Sequence, residues 1–313
     1  MSEPPTTFLV GKRDAGKRLD RFLGEKIPGL SRTRIQQAIH ERVSLSWDVA
    51  ARPSTTVRTG GEVYIAYREL NETLLEIEIP VIARGAGWLC VDKPAKVPVH
   101  PVNKVLENSL IRMLRRQEGD PALRLTHRLD AETTGALVVA ADTERARHLS
   151  RSFYKDLVHK EYLAWVAGEV QSERGQIDLP IGDHPDSKVY VRLRAAEGMD
   201  KPSSTRWVVE RREDERTLLR LFPKTGRRHQ LRVHLEAIGH PILGDPLYGR
   251  PDADYLARVR GEPDPRLEED GPQRLMLHCA RMTFPDPNGT GIVEVDAVLP
   301  EDMDLAFRPR RCH

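Results

Sequence analysis

The sequence predicts an α+β fold in two domains, and three observations carry that expectation. A length of 313 residues points to about two domains. Runs of strand length occur in the same chain as apolar stripes at helical spacing, for example 136–140 beside 142–154. Charge is also unevenly placed. Residues 8–68 hold 12 Lys and Arg against 6 Asp and Glu, whereas the whole chain is almost balanced at 49 against 47.

The basic segment has an apolar pattern of its own. Leu19, Phe22, Leu23 and Ile27 fall on one stripe of a helix within residues 16–27. Ser31 is placed to cap a second helix, with Ile35, Ala38 and Ile39 inward and Arg32, Arg34 and Gln37 outward. Strand-like pieces follow at 43–45 and 63–67, the second alternating Val63, Ile65 and Tyr67. A positive excess suits a small module meeting a polyanion, which makes Arg18, Arg21, Arg32 and Arg34 candidate phosphate-binding residues. Arg-rich exposed helices also serve solubility, so charge alone does not decide.

Residues 69–80 are acidic and read as a linker. Beyond it, 88–91 is a buried strand, and the prolines of D-K-P-A-K-V-P-V-H-P (92–101) then enforce a rigid loop. Residues 108–117 are helical with Leu110, Met113 and Leu114 inward. Asp142 caps a helix through Tyr154, with Ala146, Leu149 and Phe153 on one face. Residues 160–168 and 218–222 are strands. The stripe Leu231, Leu235, Ile238 marks a helix that Gly239 and Pro241 stop. Arg227 and Arg228 at that helix start oppose its dipole, so the cations are candidate RNA-binding residues. Residues 252–274 are charged and Pro/Gly-rich, a surface excursion. Residues 275–280 and 292–299 are closing strands.

Chemistry concentrates at 125–140, L-T-H-R-L-D-A-E-T-T-G-A-L-V-V-A. A polar cluster, His127 to Asp130, hangs from the apolar run 136–140. A carboxylate so placed is costly unless paired and often marks function. The ordinary alternative is an Asx turn before a strand. The same tripeptide, Arg-Leu-Asp, occurs at residues 18–20 in a helical setting, where a structural role is expected. For Arg232 the plain reading is an exposed pair with Glu236 four positions on.

Composition excludes several classes. No apolar stretch approaches the ~20 residues that span a bilayer, and the N-terminal M-S-E-P-P-T-T has no signal-peptide pattern. Three widely spaced cysteines argue for a reducing compartment, so a cytoplasmic chain is expected. No Cys/His cluster has zinc spacing, and no metal site is expected.

Several ordered motifs resemble one family. H-R-L-D-A-E-T-T-G resembles the H-R-L-D-x-x-T-S-G signature of the RluA-type pseudouridine synthases, with Thr134 for Ser. The 92–101 loop is similar to the family's D-K-P-x-G-x-x-V-H-P, with Lys96 for Gly. K-E-Y-L-A-W-V-A-G (160–168), K-P-S-S-T-R-W (201–207), T-G-R-R-H-Q-L-R-V-H (225–234) and the following G-H-P-I-L-G-D-P-L-Y-G resemble it equally. Residues 8–75 resemble the alpha-L RNA-binding domain of a small-subunit ribosomal protein, with residues 76–313 as the catalytic domain. There Arg42 and Trp47-Asp48 replace a Gly and an Asn-Gly turn, and a distorted hairpin is expected.

The resemblance implies a mixed, largely antiparallel central sheet with flanking helices and a cleft across it. It implies isomerisation of uridine to pseudouridine within RNA, without cofactor, by a monomer. Asp130 is then the catalytic residue, Arg128 fills the gap left by the flipped base, Tyr162 stacks on the uracil and Arg232 pairs with Asp130. His127 and Leu231, in the same motifs, are carried over as substrate-binding positions. The added N-terminal domain leans toward large-subunit ribosomal RNA over transfer RNA. Two other readings compete: an idle RNA-binding or ribosome-assembly protein on this fold, and a glycoside hydrolase. The second needs paired carboxylates, for which Glu132 is the nearby candidate.

Overall fold

A computed structural model describes residues 6–27, 32–65, 73–102, 105–262, 272–289 and 291–305. The chain divides into two compact units, Met1–Thr73 and Leu74–His313.

In the first unit, β1 (Thr6–Leu9), α1 (Leu19–Lys26), α2 (Arg32–Arg42), β2 (Val43–Leu45) and β3 (Glu62–Ile65) form a three-stranded antiparallel sheet, ordered β1-β3-β2, beside two helices. The expected stripe is the core: Leu19, Phe22, Leu23, Ile35 and Ile39 are buried against Val57 and Val63. Ser31 and Tyr67 lie outside the described residues. β1 was not anticipated from sequence. The altered turn is accommodated by Trp47, whose ring covers Gly61 so closely that a Cβ there would lie 2.5 Å from it. Ser46 and Glu62 then bond to each other through backbone and hydroxyl at 2.8–2.9 Å.

The second unit supplies β4 (Val81–Gly85), β5 (Trp88–Lys93), α3 (Leu110–Gln117), β6 (Arg124–Leu125), β7 (Thr134–Ala140), α4 (Thr143–Tyr154), β8 (His159–Ala167) and β9 (Arg174–Ile177). It continues with β10 (Ile181–Asp183), β11 (Leu193–Ala195), β12 (Thr205–Glu213), β13 (Arg216–Pro223), α5 (Gln230–Ala237), α6 (Asp252–Val259), β14 (Leu277–Pro285), β15 (Ile292–Asp296) and α7 (Glu301–Leu305). Ten strands make one sheet, in the order β4-β5-β7-β14-β8-β13-β12-β9, with β15 on β14 and β6 on β7. Only the β7–β14 pairing is parallel among the described residues. The mixed, largely antiparallel α+β architecture is therefore the one expected.

β7 is buried along its whole length, as its apolar run required. Gly135 explains how it sits so close to β14. Its φ is +107°, and a Cβ there would collide with the Cys279 backbone. The neighbouring Thr134 hydroxyl bonds the His278 ring at 2.9 Å, the use the family's Ser can share. Asp142 caps α4 as read from sequence, accepting from the Arg145 backbone N–H at 2.8 Å. Lys96 takes φ +63°, the left-handed conformation that a Gly would adopt freely.

Residues 252–274 were read as a surface excursion, and within it Asp252 and Asp254 open a two-turn helix, α6, that rests Tyr255 and Leu256 on a small core. Acids in a first turn favour the helix dipole, and that signal was outweighed by the surrounding Pro and Gly. Arg227 and Arg228 lie just before α5 rather than in its first turn, because His229, at φ +56°, is its N-cap.

Candidate active site

Asp130 sits in the turn that leads into β7. The turn is closed by its backbone, with the Thr133 N–H donating to the Asp130 carbonyl at 3.1 Å. The side chain is thus not spent on an Asx turn. Its Oδ2 instead accepts from Arg232 Nη1 at 3.1 Å, across 102 positions of sequence. The carboxylate keeps 20% of its surface exposed toward a cleft of about 500 Å³.

The loop carrying Asp130 is pinned from beneath by Lys93, at the end of β5. Its buried ammonium donates to the carbonyls of Pro94 (2.6 Å), Val97 (2.9 Å) and Ala131 (2.8 Å). Those three bonds use every donor it has and tie the proline-rich loop to the one that bears Asp130. Burial lowers this amine to about 7, against the pull of Glu132, Asp130 and Asp92.

Arg232 is held more firmly than a surface helix pair could be. α5 packs Leu231 and Leu235 into the main core and Val233 into the smaller one, so Arg232 is only 5% exposed. Its Nε and Nη2 grip the two oxygens of Asp245, both at 2.7 Å. Asp245 is also fixed by the backbone N–H groups of Leu247 (2.8 Å) and Tyr248 (2.9 Å). The guanidinium stacks over the Tyr248 ring at 4.9 Å. The plain alternative, an exposed pair with Glu236, is not made; Glu236 accepts from Arg192 at 2.7 Å instead. A fork clamped on one carboxylate leaves a single N–H aimed at Asp130.

Electrostatics follow from this geometry. Burial by itself would raise the Asp130 carboxyl, but the charge of Arg232, with smaller help from His229 and Arg128, outweighs it and holds the group below its ordinary range. His229 approaches to 3.9 Å, yet burial pushes its imidazole down to about 4, so it is neutral at neutral pH. Its Nδ1 bonds the Tyr248 hydroxyl at 2.9 Å. Arg232 is thus the working cation.

The structure gathers most of the sequence-predicted residues on one cleft. Arg128, exposed and beside Asp130, lines it, as do Tyr162 from β8, Leu231 from α5, His127 and Arg227. Tyr162 is mostly buried, and burial pushes its phenol well above its usual value, so it presents a neutral ring. His127 has a further duty. Its Nε2 accepts from the Val138 N–H at 3.0 Å, and its ring stacks on Phe153 at 4.4 Å. Burial lowers it to about 3, which keeps it a neutral acceptor. Arg228 is exposed but is not part of the cleft wall.

In the first unit the candidate arginines are less free than expected. Arg18 grips Asp20 through two bonds of 2.9–3.0 Å, Arg32 lies 3.5 Å from the same acid, and Arg21 lies 3.5 Å from Glu25. The side chain of Arg34 is outside the described set. Lys12, Arg13, Arg52 and Arg58, also exposed, form no ion pair among the described residues.

The sequence reading missed Asp245, Tyr248, His229 and Lys93. The stretch G-D-P-L-Y-G was noticed, but nothing local says that its acid and phenol reach back to α5. A second catalytic carboxylate is lacking on the cleft wall among the described residues other than Asp156 on the rim. Glu132 turns away to Arg258 at 3.1 Å, and Asp245 is fully buried and occupied. That disfavours paired-carboxylate hydrolysis.

The comparisons agree with the geometry. The family described as RNA pseudouridylate synthase matches residues 87–237. A ribosomal large subunit pseudouridine synthase D from Nitrosomonas europaea is 34% identical over 303 residues, covering 92% of this chain and 83% of that protein. The protein of that name from Escherichia coli is 32% identical, covering 95% and 91%. Among solved structures, human RNA pseudouridylate synthase domain containing 1 matches with a TM-score of 0.59 and 31% identity, over 73% of this chain and 87% of that one. With similarity running through both the cleft and most of the chain, this protein belongs to the RNA pseudouridylate synthase family, enzymes that isomerise uridine to pseudouridine.

Proposed function

We propose that this enzyme isomerises specific uridines of large-subunit ribosomal RNA, with Asp130 as its catalytic carboxylate. The observation that carries the assignment is a carboxylate, kept ionised by a buried arginine, facing a cleft of nucleoside size. The relatives named for the ribosomal large subunit favour that RNA over transfer RNA.

The reaction is internally balanced. The bond from N1 of uracil to the anomeric carbon breaks, the base turns, and C5 bonds to the same carbon. The proton displaced from C5 is matched by the one gained at N1, so no redox partner or energy source is consumed. Asp130 either attacks the anomeric carbon or supports the charge that develops as the base departs, and both routes need it ionised. The target must leave its stack, and Arg128 is the side chain free to fill the space. Tyr162 holds the detached uracil by stacking, with Leu231 beside it. His127 shapes the wall through Val138 and Phe153. The N-terminal unit, residues 8–75, serves as the RNA-binding module, in which Arg18 also pairs with Asp20.

Pseudouridine mapping in ribosomal and transfer RNA from a strain lacking the gene tests this. Loss of sites in large-subunit RNA, restored by the wild-type gene and not by Asp130→Asn, is the expected result. Loss confined to transfer RNA would overturn the substrate, and restoration by Asp130→Asn would overturn the catalyst.

A further inference from the structure

The catalytic cleft does not end at its own rim. A shallow groove runs along the outer face of α4, lined by Arg124, Ala146, Arg147, Ser150, Arg151 and Tyr154. Tyr154 also lines the catalytic cleft, so the two depressions share a wall.

Two features of that groove bear on what it could hold. Tyr154 is 89% exposed at the end of α4, although its neighbour Phe153 packs inward. Leaving an aromatic ring in water forfeits the gain of burying it. The arginines are also unneutralised. Several arginines elsewhere are paired, as in Arg84–Glu118, Arg220–Glu210 and Arg281–Asp296, while Arg13, Arg52 and Arg58 of the first unit pair with no acid among the described residues. Here the side chains of Arg147 and Arg151 form no ion pair among the described residues, and Arg124 donates only to the carbonyls of Pro121 and Leu123. They are spaced by four on one helix, so their charges lie on one face. The nearby acids do not cancel them: Asp142 is taken by Arg145, and Glu144 in the first turn forms no ion pair among the described residues.

We propose that this groove binds the single-stranded RNA next to the target uridine, with Tyr154 stacking on a flanking base and Arg147, Arg151 and Arg124 on its phosphates. Free cations beside an exposed aromatic ring are the pattern of a strand-tracking surface. The groove's continuity with the cleft sets the register: a base on Tyr154 belongs to a nucleotide close to the one that enters toward Asp130. A uridine leaves its stack at least cost where its neighbourhood is unpaired, and this surface would hold that neighbourhood open. The inference rests on the proposed reaction on RNA and deepens it by giving the substrate strand a path.

Binding of the full chain to an unmodified transcript of large-subunit ribosomal RNA tests it, measured across a range of salt. The double variant Arg147→Ala/Arg151→Ala should lower the slope of log affinity against log salt by about 1.4, for two single-strand phosphate contacts. Tyr154→Ala should weaken binding about tenfold with little change of slope, and Tyr154→Phe should restore it, because stacking needs the ring and not the hydroxyl. Arg84→Ala removes one positive charge from a paired site and should leave the slope unchanged. Wild-type affinity and slope in the double variant would overturn the groove, as would equal weakening by Tyr154→Phe and Tyr154→Ala. Wild-type conversion of the same transcript is followed in parallel. Conversion with an unmoved slope counts against the groove alone, whereas no conversion by wild-type protein overturns the proposed reaction and the groove with it.

Discussion

The tripeptide Arg-Leu-Asp occurs twice in this chain, at residues 18–20 and 128–130, and the two copies do opposite things. In the first, the arginine folds back on its own aspartate two positions away, at 2.9–3.0 Å. Gln36 (3.2 Å) and the Arg21 N–H (2.9 Å) complete the shell, and the carboxylate is 2% exposed. In the second, Arg128 points into a cleft, and the aspartate is served by Arg232 from another element. Three identical residues therefore make a closed local knot or an open reactive site. What differs is whether the positive partner is near in sequence or brought by the fold. A local partner consumes the arginine; a distant one liberates it.

Exchanging each aspartate for asparagine should separate these roles most sharply. Asp130→Asn should reduce pseudouridine formation by about a thousandfold or more in single-turnover assays, with RNA affinity and melting temperature near wild type. Asp20→Asn should do the converse. It should destabilise the N-terminal unit by about 2 kcal/mol in denaturant titrations, as loss of a buried charge-assisted pair does, while each folded molecule reacts normally. Equal activity losses in the two variants would erase the distinction.

The linked pH dependence has a definite sign. Arg18, against the opposing effect of burial, holds the Asp20 carboxyl far below its usual value. Its folded pKa is depressed, so its stabilisation is present above the unfolded value of about 3.9 and is lost as pH falls below it. The Asp20→Asn variant should lose less stability than wild type below about pH 4. Parallel curves for the two would contradict the pairing.

The paired arginines come next in size. Arg128→Ala should leave melting unchanged, because the side chain is exposed and unpaired among the described residues, but should slow conversion about tenfold to a hundredfold by weakening base extrusion. Arg18→Ala should leave conversion intact and lower the melting temperature of the N-terminal unit by less than Asp20→Asn does. Smallest is Lys96→Gly. Relief of the left-handed strain and the added freedom of the unfolded chain oppose each other, so stability should move by no more than about 1 kcal/mol. A larger loss would show that the Lys96 side chain does something its backbone does not.

Much of this molecule was legible because its signals are local. The apolar run of β7, the alternation at Tyr162, the stripe of α1 and the Asp142 cap all act within a few residues. The Arg232–Asp130 pair became legible through family resemblance; helical spacing alone offered Glu236, which the fold assigns to Arg192. Asp245 and Tyr248 were missed for the same physical reason. A carboxylate that clamps an arginine 13 positions away looks, in sequence, like an ordinary turn former. β1 was missed as a short edge strand whose partner, β3, lies far along the chain, whereas β4 pairs locally with β5 across a tight turn but carries only a short, partly exposed pattern. Tyr154 was read only as the end of a helix, because exposure of an aromatic ring has no local signature.

The most direct test of the central claim is the pH dependence of single-turnover conversion in wild type and Arg232→Met, with Arg232→Lys as the variant that keeps the charge and loses the fork. A fold check by circular dichroism accompanies it, since freeing buried Asp245 costs about 3–5 kcal/mol. If Arg232 is what keeps Asp130 ionised, the acid limb of wild type lies below the ordinary carboxylate value of about 3.9. It should move upward in Arg232→Met, and less far in Arg232→Lys, while the maximal rate falls by far more than the ~0.3–0.5 kcal/mol of an exposed helix pair would allow. A folded Arg232→Met enzyme with its acid limb in the wild-type position would contradict the account.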